Sequence, residues 1–273
     1  MNDPRRNASP FGIAAVNERD LPSYLPLLLR GLQTSVLVRG FLDAASCERI
    51  TANFMASHGR YARRDGVPAT MVGSNGFLKG VDGVVDEYLT NSNHGELLFR
   101  GTRNGYRRLL DLVEEGGDRC RSAYADGVPS AVHRAAMWSD ASTPGITLQA
   151  HTDWPQVANS GMEYADVVHP VGVNMYAAHP PKGESWVRLY DFVPSAQWLC
   201  ERGIDEGGYP ICQQDLTDRD YIDILPEAGD LLLFNAAHVH AVFNSTTANR
   251  AGRLNVNGFI GYSLGTRRVL AWA

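Results

Sequence analysis

Arg253-Leu254-Asn255-Val256-Asn257-Gly258-Phe259-Ile260-Gly261-Tyr262 changes character with every residue at its start, the period of a strand and not of a helix. Arg253, Asn255 and Asn257 leave one face, and Leu254 and Val256 leave the other. Reading back from this stretch, His238 to Phe243 and Asp230 to Phe234 are further strands, the second fed by the turn Pro226-Glu227-Ala228-Gly229. Glu184 to Asp191 follows a Pro-Pro-Lys-Gly turn, and Val171 to Ala178, Ile146 to Asp153 and Ala131 to Trp138 precede it. A short helix starting near Pro194 and containing Trp198 interrupts the series. Many short strands with turn punctuation, packed against earlier helices, predict a mainly β fold with supporting helices, a double-sheet jelly roll.

The first half of the chain supplies those helices. Residues 1–20 are polar and read as loosely held. Leu21 to Leu32 reads as a short helix and Ser35 to Phe41 as an apolar strand. Asp43 stands at an N-cap position before a helix reaching about Ser57, with Cys47, Ile50, Phe54 and Met55 at helical spacing. Met71 to Gly80 is Gly-rich and reads as a strand with a flexible lip; it lacks the signature of a phosphate-binding loop. A second amphipathic helix is predicted from Gly95 to Glu115, with Tyr106, Leu109, Leu110 and Val113 as its stripe and Gly116-Gly117 as its stop. The expected layout is one domain: 1–127 as helical support with the first strands, 128–265 as the β core, and 266–273 as a C-terminal tail.

Composition excludes several function classes. The 44% hydrophobic and 20% charged content is that of a globular enzyme, and 273 residues suffice for a full core. A net charge of −5 gives no reason to expect a nucleic acid polymer or an anionic membrane as partner. There is no apolar run long enough to span a bilayer and no secretory pattern after Arg5-Arg6. Cys47, Cys120, Cys200 and Cys212 are scattered without a C-x-x-C, which fits reduced thiols in a cytoplasm.

The chemistry-bearing stretch is Gln149-Ala150-His151-Thr152-Asp153-Trp154-Pro155. In an extended strand His151 and Asp153 would share a face, offering an imidazole and a carboxylate to a divalent metal. The third ligand has two candidates, His238 and His240, which alternation alone does not separate. An arginine at the mouth of the last long strand can clamp a carboxylate bidentately, as a lysine could not. Arg253 and Arg250 both stand near that place. A zinc hydrolase or isomerase could use the same donors but needs a general base, and no such partner is visible. A non-catalytic binding module of the same fold is the other alternative.

Taken in order, these residues resemble the Fe(II)/2-oxoglutarate-dependent dioxygenases, whose pattern is H-x-D, a distal His, and an Arg roughly a dozen residues later. Gly229 to Phe234, His240-Ala241-Val242 and Arg253 follow the family's order, and Phe41-Leu42-Asp43 with Cys47-Glu48 is similar to prolyl-hydroxylase-like members. The likeness covers roughly residues 35–60 and 131–262. It implies a double-stranded β-helix (jelly-roll, cupin-like) core, with His151, Asp153 and His240 holding Fe(2+). The three metal positions left over would take 2-oxoglutarate through two atoms and O2 at the third. Arg253, preferred to Arg250, would hold the distal carboxylate, with Asn255 beside it. Halogenases of this family replace the carboxylate ligand, so the presence of Asp153 implies a hydroxylase or desaturase that releases succinate and CO2. The implied substrate is a small polar molecule, an amino acid or natural-product intermediate, with Trp154, Arg134, Asn257 and Trp272 as candidate contacts. His58, His94, His133, His169 and His179 read as ordinary core or surface histidines.

Overall fold

The computed structural model describes residues 11–62, 69–74, 94–125, 128–138, 145–204, 208–245 and 252–273. The chain begins with β1 (Ile13–Val16), α1 (Leu21–Leu29), β2 (Ser35–Val38), α2 (Ala44–Ala56), β3 (Tyr61–Ala62) and β4 (Ala69–Val72). Next come α3 (Gly105–Glu115), β5 (Cys120–Ser122), the small hairpin β6 (Tyr124–Ala125) and β7 (Val128–Pro129), and β8 (Arg134–Trp138). β9 (Ile146–His151), α4 (Trp154–Ala158), β10 (Val171–Ala178), β11 (Ser185–Tyr190) and α5 (Ala196–Glu201) follow. The chain closes with β12 (Tyr221–Ile224), β13 (Leu231–Asn235), β14 (His240–Asn244), β15 (Arg253–Ser263) and β16 (Arg268–Trp272).

Two sheets face each other. The larger runs β1-β2-β13-β10-β15-β8-β4-β3, with β16 joined to β15 and β5; the smaller runs β12-β11-β14-β9. Strand alternation decides what each face meets. Val36, Val38, Val171, Val173, Met175, Leu231, Leu233, Leu254 and Val256 bury themselves against the helices, under Leu25, Leu28, Ile50, Phe54, Tyr106, Leu109 and Leu112. The intervening residues of the same strands turn inward: Leu232, Phe234, Tyr176, Ala136 and Trp138 meet Val187, Leu189, Ile224 and Val242 of the smaller sheet. This is the jelly-roll core with helices on one side.

Local rules set the element ends. The Asp43 carboxylate accepts a hydrogen bond from Ser46 N at 2.7 Å and so caps α2, as its sequence position predicts. The helix expected from Gly95 is broken in two: residues 94–96 are helical and run into a 3-10 turn, Leu97–Phe99, and the long helix is Gly105–Glu115, because Gly101 has φ +78° and Asn104 caps it by accepting from Arg107 N. α5 starts after Ser195, whose hydroxyl accepts from Trp198 N, so serine and not Pro194 defines its beginning. Two expectations about the ends are corrected. Ile13–Val16 is not loose but pairs in parallel with Ser35–Val38. The expected 266–273 tail is largely a strand, Arg268–Trp272, hydrogen-bonded to β15 and β5. The glycine-rich lip at 75–80 lies outside the described residues. Among the described residues no helix is long and apolar enough to cross a membrane.

β15 is closely hemmed in at Gly258. A Cβ on Gly258 would run into the Val132 carbonyl, lie 2.6 Å from the Tyr106 hydroxyl and 3.0 Å from the Trp272 carbonyl. Glycine is therefore required where β15, α3 and β16 converge. Gly258→Ala should destabilise the fold by about 1–3 kcal/mol through overpacking, read as a lower urea midpoint. An unchanged midpoint would mean these segments are free to move apart.

Candidate metal centre

β14 pairs antiparallel with β9 so that His240 lies directly across from His151. The two imidazole centroids are 4.1 Å apart. Asp153 reaches them from a different direction than the sequence suggests. β9 ends at His151, and Asp153 has helical backbone angles (φ −94°, ψ −11°) at the start of α4. The shared strand face of His151 and Asp153 is thus corrected: a tight turn, not a strand, aims the carboxylate. The turn is pinned by backbone bonds, with Thr152 N donating to Gly208 O at 3.2 Å and Asp153 N to Ala236 O at 3.0 Å. The Thr152 hydroxyl adds a bond to Ala237 O at 2.8 Å.

The donor atoms converge. Asp153 Oδ2 is 3.4 Å from His240 Nε2 and Oδ1 is 3.9 Å from His151 Nε2. All three residues are buried, and one ligand atom from each lies within 4.8 Å of the others. His151 Nδ1 sits 2.8 Å from Gln149 O, and His240 Nδ1 sits 3.0 Å from His238 O. A carbonyl only accepts, so each Nδ1 carries a proton and each Nε2 faces the carboxylate. Burial alone would raise the Asp153 pKa, but a proton shared from His240 Nε2 and the charges of His240, His151 and Arg134 hold the carboxyl below its usual value. With Nε2 deprotonated, the two imidazole lone pairs and the carboxylate are a donor set that fits a borderline divalent metal such as iron.

His238, the other candidate ligand, sits before β14 and points elsewhere. Its Nδ1 is 3.0 Å from Tyr190 O, and its ring stacks on Phe11.

Further along the interior, Arg253 stands at the head of β15, 6% exposed. Its guanidinium lies between the Trp138 ring at 5.5 Å and the Tyr176 ring at 5.8 Å. Nε and Nη1 are buried without a hydrogen-bond partner, and no carboxylate among the described residues pairs with the group. Burial of this lone charge pulls its pKa below the usual arginine value. Arg250 lies outside the described residues. Asn255 is committed to a chain of side chains, accepting from Trp138 Nε1 at 2.8 Å and donating to Asn174 Oδ1 at 2.5 Å. Asn257 faces the same interior with its Oδ1 buried and unpartnered. Arg134 is directly opposite Asn257 across β8 and β15 and is itself buried.

Two candidate contacts are placed elsewhere. The Trp154 indole donates to Pro194 O at 3.1 Å and packs on Leu199, Ile211 and Val239, behind the smaller sheet. Trp272 is held in a buried stack between Tyr164, at 4.4 Å, and Phe259, at 5.7 Å, so it is a core residue and not a flap over the site. Sequence reasoning passed over Asn174, Tyr176 and Trp138 and read His179 as an ordinary histidine. Alternation could have found the first two, since they leave Val171–Ala178 on the face opposite Val173 and Met175.

No family model matches the sequence. An L-isoleucine 3(1)-dioxygenase of Pantoea ananatis is 23% identical over 255 residues, spanning 86% of this chain and 82% of the relative. The crystal structure of an N-substituted L-amino acid dioxygenase from Burkholderia ambifaria has the same fold, with a TM-score of 0.60 at 12% identity, covering 93% of this chain and 91% of its own. The complex of that enzyme with alpha-KG aligns over the same shares at 12% identity, with a TM-score of 0.53.

His179 follows β10 beside the arginine, with its ring edge-on to Tyr176 at 5.4 Å and its Nε2 buried without a partner. Burial, aided by the charge of Arg253, pushes its pKa down to about 4 from 6.5, against the opposing bond to Pro180 O. The unfolded chain therefore takes up a proton that the folded one refuses. This contribution leaves stability untouched above pH 6.5 and lowers it as the pH falls from 6.5 toward 4. Urea titrations over that window should show a shallower pH slope for His179→Gln than for the wild type. Parallel slopes would mean that His179 is protonated in the fold.

Proposed function

We propose that this chain, which belongs to the Fe(II)/2-oxoglutarate-dependent dioxygenase superfamily, oxidises an aliphatic C–H bond of a small amino acid-like molecule. Fe(2+), 2-oxoglutarate and O2 are the partners in this reading, with succinate and CO2 as products, and hydroxylation as the outcome. The observation that carries it is the pairing of a buried His–Asp–His cluster with a buried arginine that lacks a counter-charge. A lone guanidinium in a low-dielectric interior is unfavourable unless an anion meets it. A keto diacid answers that demand with one end while its other end reaches the metal ligands.

His151, Asp153 and His240 would hold the iron, their Nδ1–H bonds to Gln149 O and His238 O fixing the ring orientation. The bound metal supplies the activation of O2 that is coupled to decarboxylation of the keto acid. Arg253 would hold the distal carboxylate through its free Nε and Nη1. The rings of Trp138 and Tyr176 keep its guanidinium from rotating away and exclude water from that ion pair. Asn255 orients the wall around it through Trp138 and Asn174. Phe234, with its ring 4.8 Å from His240, shields the metal ligands on one side.

A hydrolase reading lacks its base among the described residues. The other buried carboxylate among the described residues, Asp230, is spent on Arg39 at 2.5 Å and on the backbone N–H groups of Gly40 and Glu227. The names of the similar enzymes support an amino acid as the substrate class.

Anaerobic protein with Fe(2+) and 2-oxoglutarate should develop a weak visible charge-transfer band, which Asp153→Ala weakens or abolishes. Arg253→Ala should raise half-saturation by 2-oxoglutarate on the order of ten- to a hundredfold while Fe(2+) affinity stays within about twofold. Tight zinc binding with no band in the wild type would sink the oxygenase reading, and equal loss of metal and keto acid in Arg253→Ala would displace the clamp.

A further inference from the structure

The two imidazoles of the cluster are held in the same two ways. Each Nδ1 is bonded to the carbonyl two residues earlier, Gln149 O for His151 and His238 O for His240. Each imidazole also has an aromatic ring set edge-on against it. For His240 this is Phe234, at 4.8 Å and 67°; for His151 it is Tyr209, at 5.7 Å and 70°. A hydrogen bond at Nδ1 anchors one atom of the ring and leaves the ring free to tilt about that point. The second contact therefore decides where Nε2 aims.

The two flanking rings come from different places. Phe234 is a buried residue of β13, fixed by the larger sheet. Tyr209 belongs to neither sheet. It stands on the segment 208–211, which lies along β9, the outermost strand of the smaller sheet. Thr152 N donates to Gly208 O at 3.2 Å, and Ile211 N donates to Ala150 O at 2.7 Å. These bonds fall on either side of His151 in sequence, so Tyr209 and Pro210 are set beside it. Ile211, 2% exposed, anchors the segment in the outer cluster with Ala150, Leu199 and Val239. Tyr209 packs instead on the inner cluster, the one that contains Phe234. The segment thus crosses the edge of the sheet, and the tyrosine is the side chain it carries inward.

Gly208 permits that crossing. It has φ +69°, and a Cβ there would run into the Thr152 carbonyl and lie 3.1 Å from Thr152 Cγ2 and 3.3 Å from Pro155 Cδ. Thr152 separates His151 from Asp153, so the contact that places Tyr209 also braces the turn that aims the carboxylate.

We infer that Tyr209 is a positioning residue for His151, its ring confining that imidazole as Phe234 confines the imidazole of His240. This rests on the metal-centre reading above and adds the group that steadies one ligand from outside both sheets. An edge-on pair depends on the quadrupoles of the two rings. Phenylalanine can supply it, and an aliphatic side chain cannot.

The test uses the full chain, titrated anaerobically with Fe(2+) and separately with Co(2+), whose visible bands report the geometry of the groups around it. Tyr209→Leu should raise both dissociation constants on the order of tenfold and shift the Co(2+) bands. Tyr209→Phe should keep affinity within about twofold of wild type and leave the bands in place. Urea midpoints of both metal-free variants should stay near that of the wild type, since Tyr209 is only half-buried. Unchanged affinity and bands in Tyr209→Leu would overturn the assignment. So would equal losses in the Leu and Phe variants, which would move the role to the hydroxyl, or a fallen midpoint with unshifted bands, which would make the contact purely structural. In each of these cases metal binding by the wild type leaves the metal-centre reading intact. A wild type that binds neither metal removes that reading itself.

Discussion

The register that sets His240 against His151 is the constraint on which the candidate metal centre depends. Strand periodicity is two, so a slip of one residue between β14 and β9 would turn one imidazole to the outside. The register is held from the back. Ala150, Val239 and Ala241, the neighbours of the two histidines, are buried with Tyr190, Leu199 and Ile211 on the outer side of the smaller sheet. Tyr190 N donates to Val239 O, and Val239 N to Phe192 O, which seats the approach to β14. The turn after His151 is tied to the segment before His240 by two hydrogen bonds, Asp153 N to Ala236 O and the Thr152 hydroxyl to Ala237 O, and to Gly208 O by a third. At about 1 kcal/mol net apiece these are modest, but they act on one short stretch and leave the carboxylate a single direction.

β15 does for the larger sheet what that register does for the smaller. Leu254, Val256 and Ile260 bind it to the helices, while Arg253, Asn255, Asn257 and Phe259 line the interior from the polar to the apolar end. The helical layer thus contributes no donor to the proposed chemistry. Its part is to bury one face of β15 and β10 so thoroughly that the opposite face can carry polar groups without loss of the strand. Asn174, Asn255 and Trp138 solve the resulting hydrogen-bond problem among themselves.

Much of this was legible in the residue pattern, and the failures have physical causes. Val171–Ala178 and the head of the last long strand could be read directly, because alternation persists where a strand is buried on both sides by different layers. Asp43 announced α2 because an N-cap is a local interaction within four residues. The Asp153 geometry was not legible: an H-x-D tripeptide looks the same whether its acid continues a strand or opens a helix, and distant backbone at Gly208 and Ala236 decides. Trp272 misled because a terminal aromatic residue gives no sign of the Tyr164 and Phe259 rings that hold it. Asn255 was read as a cosubstrate contact beside Arg253, whereas its amide is engaged by partners 117 and 81 residues away in sequence.

The unpartnered groups tie fold to function. Buried polar atoms in a settled interior are nearly always paired, so Arg253 Nε and Nη1 and Asn257 Oδ1 mark where this interior is built against something other than itself. Apolar residues of similar shape there would serve the fold at least as well, since burying a charge without a partner is unfavourable. The rings of Trp138 and Tyr176 restrain the Arg253 guanidinium but do not neutralise it. That combination suits a binding group: the orientation is set in advance, and the surroundings that penalise the bare charge strengthen its attraction for a carboxylate. The same reasoning separates Arg253 from Arg188 on the outer face, whose guanidinium is bonded to both oxygens of Asp223 at 2.7 Å. Arg188 has spent its donors on the fold; Arg253 has kept two of its own for an anion that the described residues do not provide.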